Sequence, residues 1–308
     1  MPGFHTYEQL RQAEDVQDMI YIVSPVDAPV ASMSKTIRAT GKLHEWTEDK
    51  LLAAGPNKHV EGAAAPADVS APVTERSNYC QIMSKRAEIT GTLEDVEKYG
   101  RTSEMSYQLE LRYSEMANDE ELAIMGKPGG TRQTGDAGSS STAREMASLI
   151  SQLDAGVTVD ATAYTTVAQL EDGILEAHLA TYDLGGNPSY LITNPANAQY
   201  IANFAYAAGR SREIHNGSDD RKLVNVIDLM VNPYGELDVI LDRHADDSMT
   251  LLDFNYLATP VLRPTTDWPL AKTGDSENRQ ILRESTYAVL NSEAHAAVLN
   301  IPTTLTVS

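Results

Sequence analysis

The chain has 308 residues, 42% of them hydrophobic, and carries a formal charge of −20 from 44 acids against 24 bases. That length allows one large domain or two ordinary ones with a sizeable core, and the apolar content excludes a disordered chain. No cluster of Lys and Arg of the kind that binds a nucleic-acid backbone is present, and no apolar run approaches the ~18 residues of a membrane span. Cys80 is the only cysteine, so no intrachain disulfide forms. The start, MPGFHTYEQLRQAEDV, lacks the basic and apolar regions of a signal peptide. An intracellular protein with one structural thiol is the expectation.

Residues 7–21 predict an amphipathic helix on Leu10, Val16 and Ile20. SPVDAPV (24–30) ends it, and its two prolines favour an extended, arm-like path. Residues 36–46 alternate, with Ile37, Ala39, Gly41 and Leu43 on one side and Arg38, Thr40, Lys42 and His44 on the other, a strand pattern. Residues 78–90 predict a second strand. The connection between them, 47–74, has no aromatic residue but seven alanines, three prolines and two glycines. Connections longer than ~12–15 residues without structure are uncommon in compact domains. A two-stranded arm with a small-residue tip is predicted, and a lone hairpin is marginal in water, so the arm needs something outside itself to lie on.

Thr92 with Asp95 predicts a short capped helix, Gly100 a break, and Thr102 the cap of a longer helix ending at Gly126. Met105, Leu109, Tyr113 and Met116 give that spine helix its packing face, and Glu110, Glu115, Asp119, Glu120 and Glu121 load the remainder with acid. A Gly/Ser loop is expected over 131–141 and a helix capped by Thr142 over 143–153. A helix over 166–184 stops at Gly185–Gly186. SYLIT (189–193) is a buried strand, followed by a helix with Asn194 as N-cap and Pro195 at its first position. Strands follow at 223–231, 237–242 and 249–254. Mixed elements across 142–254 point to an α/β unit. The tail, 279–301, predicts a long strand, a short turn or helix and a last strand.

Motifs for chemistry are missing. His5, His44, His59, His178, His215, His244 and His295 include no pair three or four apart, as a helical metal site needs. There is no phosphate loop, no GxGxxG and no GxSxG. Asp238, Asp242, Asp246 and Asp247 fit strand alternation and an exposed turn. Cys80 fits a small core residue, and Trp46 and Trp268 fit packing or interface anchors. No catalytic, cofactor or metal residue is expected. What the chain does show is architecture, and projecting arms make sense where identical subunits overlap.

The element order resembles the major capsid proteins of tailed phages, the Hong Kong 97-type fold. SPVDAPVASM (24–33), LHEWTEDKLLAAG (43–55), EG (61–62), GRTSEMSYQLELRYSEMANDEELAIM (100–125), ITNPANAQYIANFA (192–205) and KTGDSENRQILRESTYAVLNSEAH (272–295) carry the resemblance, in order, over nearly the whole chain. It implies an α+β fold: an N-terminal arm (1–35), an E-loop hairpin (36–91), a P-domain spine helix with its following loop (92–145), an A-domain (146–248), a P-domain sheet return (249–292) and a C-terminal segment back in the A-domain (293–308). It further implies a shell built of hexamers and pentamers of this chain around double-stranded DNA, without sequence-specific binding or a membrane. A portal protein at one vertex, a separate scaffolding protein and a decoration protein are the further partners, and the virion, assembled in the host cytoplasm, is the location. Within the E-loop, Trp46, Lys50, Leu51, Leu52, Lys58 and Val60 are the expected contacts with a neighbour. Lys50 and Lys58 lie where some relatives crosslink a lysine to an asparagine, with no further motif for that chemistry here. Glu110, Glu115, Asp119 and Glu120 are expected on an acidic interior face that keeps DNA mobile. An encapsulin-like compartment and a soluble acidic α/β enzyme centred on 142–254 are the rival readings.

Overall fold

Two sheets braced by helices carry the architecture. The computed structural model describes residues 27–51, 54–64, 72–97, 103–207, 229–272 and 274–306. The helix expected over 7–21 and most of the strand expected over 223–231 lie outside them.

α1 (Pro29–Met33) is a five-residue helix with Pro29 at its start, where the missing N–H is no loss. It replaces the extended path expected of 24–30 at its described end. The cause lies on another element: Glu121 accepts hydrogen bonds from Val30 N and Ala31 N at 2.9 and 2.8 Å, satisfying two first-turn donors.

The strand expected over 36–46 is two strands, β1 (Lys35–Arg38) and β2 (Leu43–Glu48). The strand expected over 78–90 is likewise β3 (Thr74–Tyr79) and β4 (Gln81–Thr90). At these breaks the chain changes sheet: β2 and β3 pair with each other, while β1 and β4 join a larger sheet. The breaks brace one another, since Cys80 N donates to Lys42 O at 2.8 Å and the Cys80 thiol to Gly41 O at 3.5 Å. Cys80 therefore sits at a joint and not within a strand. Burial pushes its thiol up to about 11, with the Glu284 charge adding to the effect.

α2 (Gly91–Asp95) starts before Thr92, with Thr90 at its N-cap. α3 (Glu104–Met125) is capped by Ser103, whose hydroxyl accepts from Ser106 N. The expected cap, Thr102, lies outside the described residues. Its 22 residues span about 33 Å. The helix ends at Gly126, where a Cβ would stand 2.7 Å from the His244 carbonyl oxygen, so only glycine lets these backbones approach.

The helix expected over 143–153 does not form. β5 (Thr134–Asp136), inside the expected loop, pairs with β6 (Glu145–Ala147), followed by single 3-10 turns at Ile150–Gln152 and Ala155–Val157. Asn78 captures the Ala147 carbonyl and N–H at 3.1 and 2.8 Å, and that tertiary bond overrides the local signal. β7 (Thr158–Asp160) leads to α4 (Val167–Asp183), which opens on a full capping box of Thr166 and Gln169. β8 (Tyr190–Thr193) precedes α5 (Pro195–Ala207), where Asn194 Oδ1 accepts from Asn197 N at 2.7 Å. β9 (Leu229–Asn232), β10 (Gly235–Leu241) and β11 (Met249–Leu252) follow as expected where described. β12 (Leu257–Pro269) lies where the resemblance placed a returning sheet, although Pro260, Pro264 and Pro269 cannot donate to a ladder. The strand accommodates them with register shifts against its partner between Val261 and Thr266. β13 (Ser276–Ser285), β14 (Ala288–Val289), a 3-10 turn at Ser292–Ala294 and β15 (Ala296–Leu299) complete the chain.

One sheet has the order β1-β12-β13-β4, with β14 also on β12. The other runs β7-β15-β11-β8-β10-β9. The first sheet carries α3 on one face through Met83, Ile281, Leu109 and Met116. The second carries α4 and α5 on one face through Leu170, Ile174, Ile201 and Leu251. Its other face meets the end of α3 and the first sheet through Ile124, Ile192, Leu252 and Tyr287. That shared core joins the two sheets.

Candidate intersubunit arm

The β2–β3 hairpin runs in register from Leu43↔Tyr79 to Glu48↔Thr74. Its root is fixed to its own subunit. Trp46 Nε1 donates to the Val289 carbonyl at 2.9 Å, so Trp46, expected on a neighbour, is engaged within the chain. Arg76 Nη2 donates to both oxygens of Asp154 at 2.6 and 2.7 Å and Arg76 Nε to Glu48 at 3.1 Å. Ser292 closes the network through Asp154 and Glu48. Burial works against the charged Asp154, but the Arg76 and Ser292 hydrogen bonds outweigh it and hold the carboxyl below the usual carboxylate range. Lys50 pairs with Glu293 at 2.9 Å, which leaves it engaged within the subunit as well.

Past this root the described loop residues are bare. Leu51 is 97% exposed and Val60 81%. Lys58 is exposed, and Leu52 lies outside the described residues. Apolar side chains left this open on one loop are candidates for burial elsewhere.

The network makes a prediction. Arg76→Ala should destabilise the unassembled subunit by about 1–2 kcal/mol, after discounting for partial exposure. Part of that difference should fade at high salt. Denaturant melts at two salt concentrations check it, and an unchanged midpoint would show the network to be ornamental.

On the spine, Met105 and Met116 are buried and Leu109 packs beside them. Tyr113 departs from the expected face: it is 38% exposed and its hydroxyl bonds Asp267. Helical geometry accounts for this, since Leu109 and Met116 lie within about 40° of Met105 around the axis and Tyr113 about 80° away.

The expected acidic face needs larger correction. Glu120 is buried, held by Arg283 at 3.0 Å and the Ser285 hydroxyl at 2.9 Å. Glu115 pairs with Arg112 and Asp119 with Lys85. Of the four, Glu110 alone stands exposed without an ion pair among the described residues. The last turns of α3 are buried all round because α1 and the second sheet close over them. Acid without an ion pair among the described residues gathers instead on α4, at Asp172, Glu176 and Asp183. Across the described parts of 146–262, Arg243 is the one Lys or Arg side chain.

Sequence reasoning did not single out Arg76, Glu48, Asp154, Ser292 or Asn78, and it placed Glu121 only among the acids of the spine helix. Their partners are remote in sequence, and nothing local marks them.

The profile of the SU10 major capsid protein family matches residues 3–302. The chain belongs to that family. This capsid protein is also 31% identical over 123 residues to the major capsid protein of Escherichia phage Phieco32. That match covers 40% of the chain and 35% of the relative, so it spans about a third of the relative's length. Among solved structures, the capsid of the native GTA particle aligns with a TM-score of 0.66 at 12% identity over 95% of both chains. The holo-SrpI encapsulin of Synechococcus elongatus PCC 7942 aligns at 0.60 and 9% identity over 96% of this chain and 97% of that one. Mycobacterium phage Bobi aligns at 0.60 and 13% over 93% and 95%. These likenesses establish the Hong Kong 97-type capsid fold. The family is one of structural proteins, and it sets aside the acidic-enzyme reading.

Proposed function

We propose that this capsid protein assembles as hexamers and pentamers into the icosahedral head of a tailed phage and encloses its double-stranded DNA. The observation that carries this is the hairpin: pinned at its root to its own subunit, with Leu51 and Val60 exposed beyond it. The segment roles follow the resemblance: N-terminal arm, E-loop, spine and sheet of the P-domain, and A-domain. Leu51, Leu52, Lys58 and Val60 are the E-loop contacts retained for a neighbour. The acid of α4 takes over from the spine helix as the candidate DNA-repelling surface. A portal, a scaffolding protein and a decoration protein are its partners in this reading. The encapsulin aligns as well as the Mycobacterium phage Bobi chain, and the family and phage matches favour the phage head.

Expression of the chain alone and with its neighbouring genes, followed by size exclusion and negative-stain electron microscopy, tests this. Shells, hexamers or pentamers are expected. A 33.5 kDa species that stays monomeric under every salt and scaffold condition overturns the reading.

A further inference from the structure

The turn between β9 and β10 is fastened to α4 through an imidazole, and the fastening admits one protonation state. His178 of α4 is fully buried. Its Nδ1 lies 2.9 Å from Asn232 Nδ2. The Asn232 amide is not free to turn over, because its Oδ1 already accepts from Tyr234 N and Gly235 N at 3.0 Å each and so closes the turn. Nδ2 must therefore donate, and His178 Nδ1 must accept. The proton of the neutral ring then sits on Nε2, which has no hydrogen-bond partner among the described residues. The turn lies directly over the ring: a Cβ at Gly235 would stand 3.7 Å from His178 Cε1. Tyr234 packs on the imidazole with centroids 5.7 Å apart, and Tyr182 of α4 packs on Tyr234 at 5.9 Å. These two phenols are the titratable groups of that stack, and a phenol carries no charge in acid. No carboxylate bonds either ring nitrogen among the described residues.

A second proton on this ring would land on Nδ1. It would turn the acceptor into a donor facing the Asn232 amide and leave a buried cation with no anion beside it. We propose that His178 is an acid-released fastener: its protonation in mildly acidic solution breaks the bond to Asn232 and frees the β9–β10 turn, with the edge strand β9, from α4. Among the described residues β9 pairs with β10 alone, so it can leave without disturbing the inner strands. Burial holds the His178 imidazole below the ordinary histidine value, in keeping with this geometry. The opened chain binds the proton more readily than the closed one. The fastening is therefore full above the ordinary histidine value and weakens as pH falls below it.

Hydrogen exchange of the full-length, unassembled chain tests this, read by peptide mass spectrometry as protection relative to an unstructured peptide at each pH. Protection over 230–236 should fall by about tenfold or more between about pH 7 and about pH 5, the scale of a one-unit differential titration. The inner strand β15 should stay level. His178→Gln keeps an acceptor and does not titrate, so it should remove the fall. Asn232→Asp should remove or reverse it, because the carboxylate still closes the turn and gains the imidazolium as a partner. Level protection in the native chain, an equal fall in β15, or the same fall in His178→Gln overturns the proposal. If His178→Gln fails to fold, an unchanged fall in Asn232→Asp overturns it.

Discussion

A subunit lacking residues 50–72, with Asp49 joined to Val73 through a short Gly-Ser bridge, should fold normally and form no stable shell. The pairing from Leu43↔Tyr79 to Glu48↔Thr74 survives the deletion. So do the Trp46 anchor and the Arg76 network. Among the described residues, the ion pair that the subunit loses is Lys50–Glu293, an exposed pair of little weight. In the proposed assembly a neighbour, in contrast, loses the burial of Leu51 and Val60, each contributing roughly 1.5–3 kcal/mol when fully covered. A closed shell repeats that loss at every subunit. Circular-dichroism melts and electron microscopy separate the two effects. A deletion that unfolds the isolated subunit would place the loop in its own core.

The second large effect is expected at Asn78, which is 2% exposed. Its Nδ2 donates to Ala147 O and Tyr287 O, and its Oδ1 accepts from Ala147 N and Tyr79 N. One amide thereby joins the hairpin root, β6 and the residue ahead of β14. Gln152 Nε2 also reaches both carbonyls, at 3.1 and 3.2 Å. Asn78→Ala therefore leaves the buried Ala147 N–H as the main orphan, and a loss of about 2–4 kcal/mol follows. Asn78→Asp should be worse, because it sets a carboxylate against two carbonyls. Gln152→Ala alone should be mild, and the double variant more than additive, since the two side chains share acceptors. Denaturant midpoints of the unassembled subunit decide. A change for Asn78→Ala within about 0.5 kcal/mol, the range of an ordinary surface substitution, would remove Asn78 from this role.

Elements whose signals are local were legible from sequence. Gly185–Gly186 as a stop, and Asn194 with Pro195 as a start, announce α4 and α5 because helix ends are satisfied by residues close in sequence. The ordered motifs were enough to indicate the fold family. Elements decided by remote partners were not legible. β6 depends on Asn78, and the prolines of β12 hide its strand from local signals. Arg76 meets Asp154 and Ser292 at separations of 78 and 216 residues. Glu120 and Glu121 read as a solvated face because burial of the spine's last turns is imposed by α1 and the second sheet.

The strand order bears on when a newly made chain becomes usable. Lys35 pairs with Ala258 and Arg86 with Gln280, and β15 lies between β7 and β11. Residues 257–299 therefore complete both sheets. While the ribosome is still upstream of them, β1 and β4 have no partners and the second sheet lacks an inner strand. Such non-local closure is slow and leaves edges open to chaperones and proteases. A prematurely terminated chain therefore has neither sheet intact and keeps those edges open.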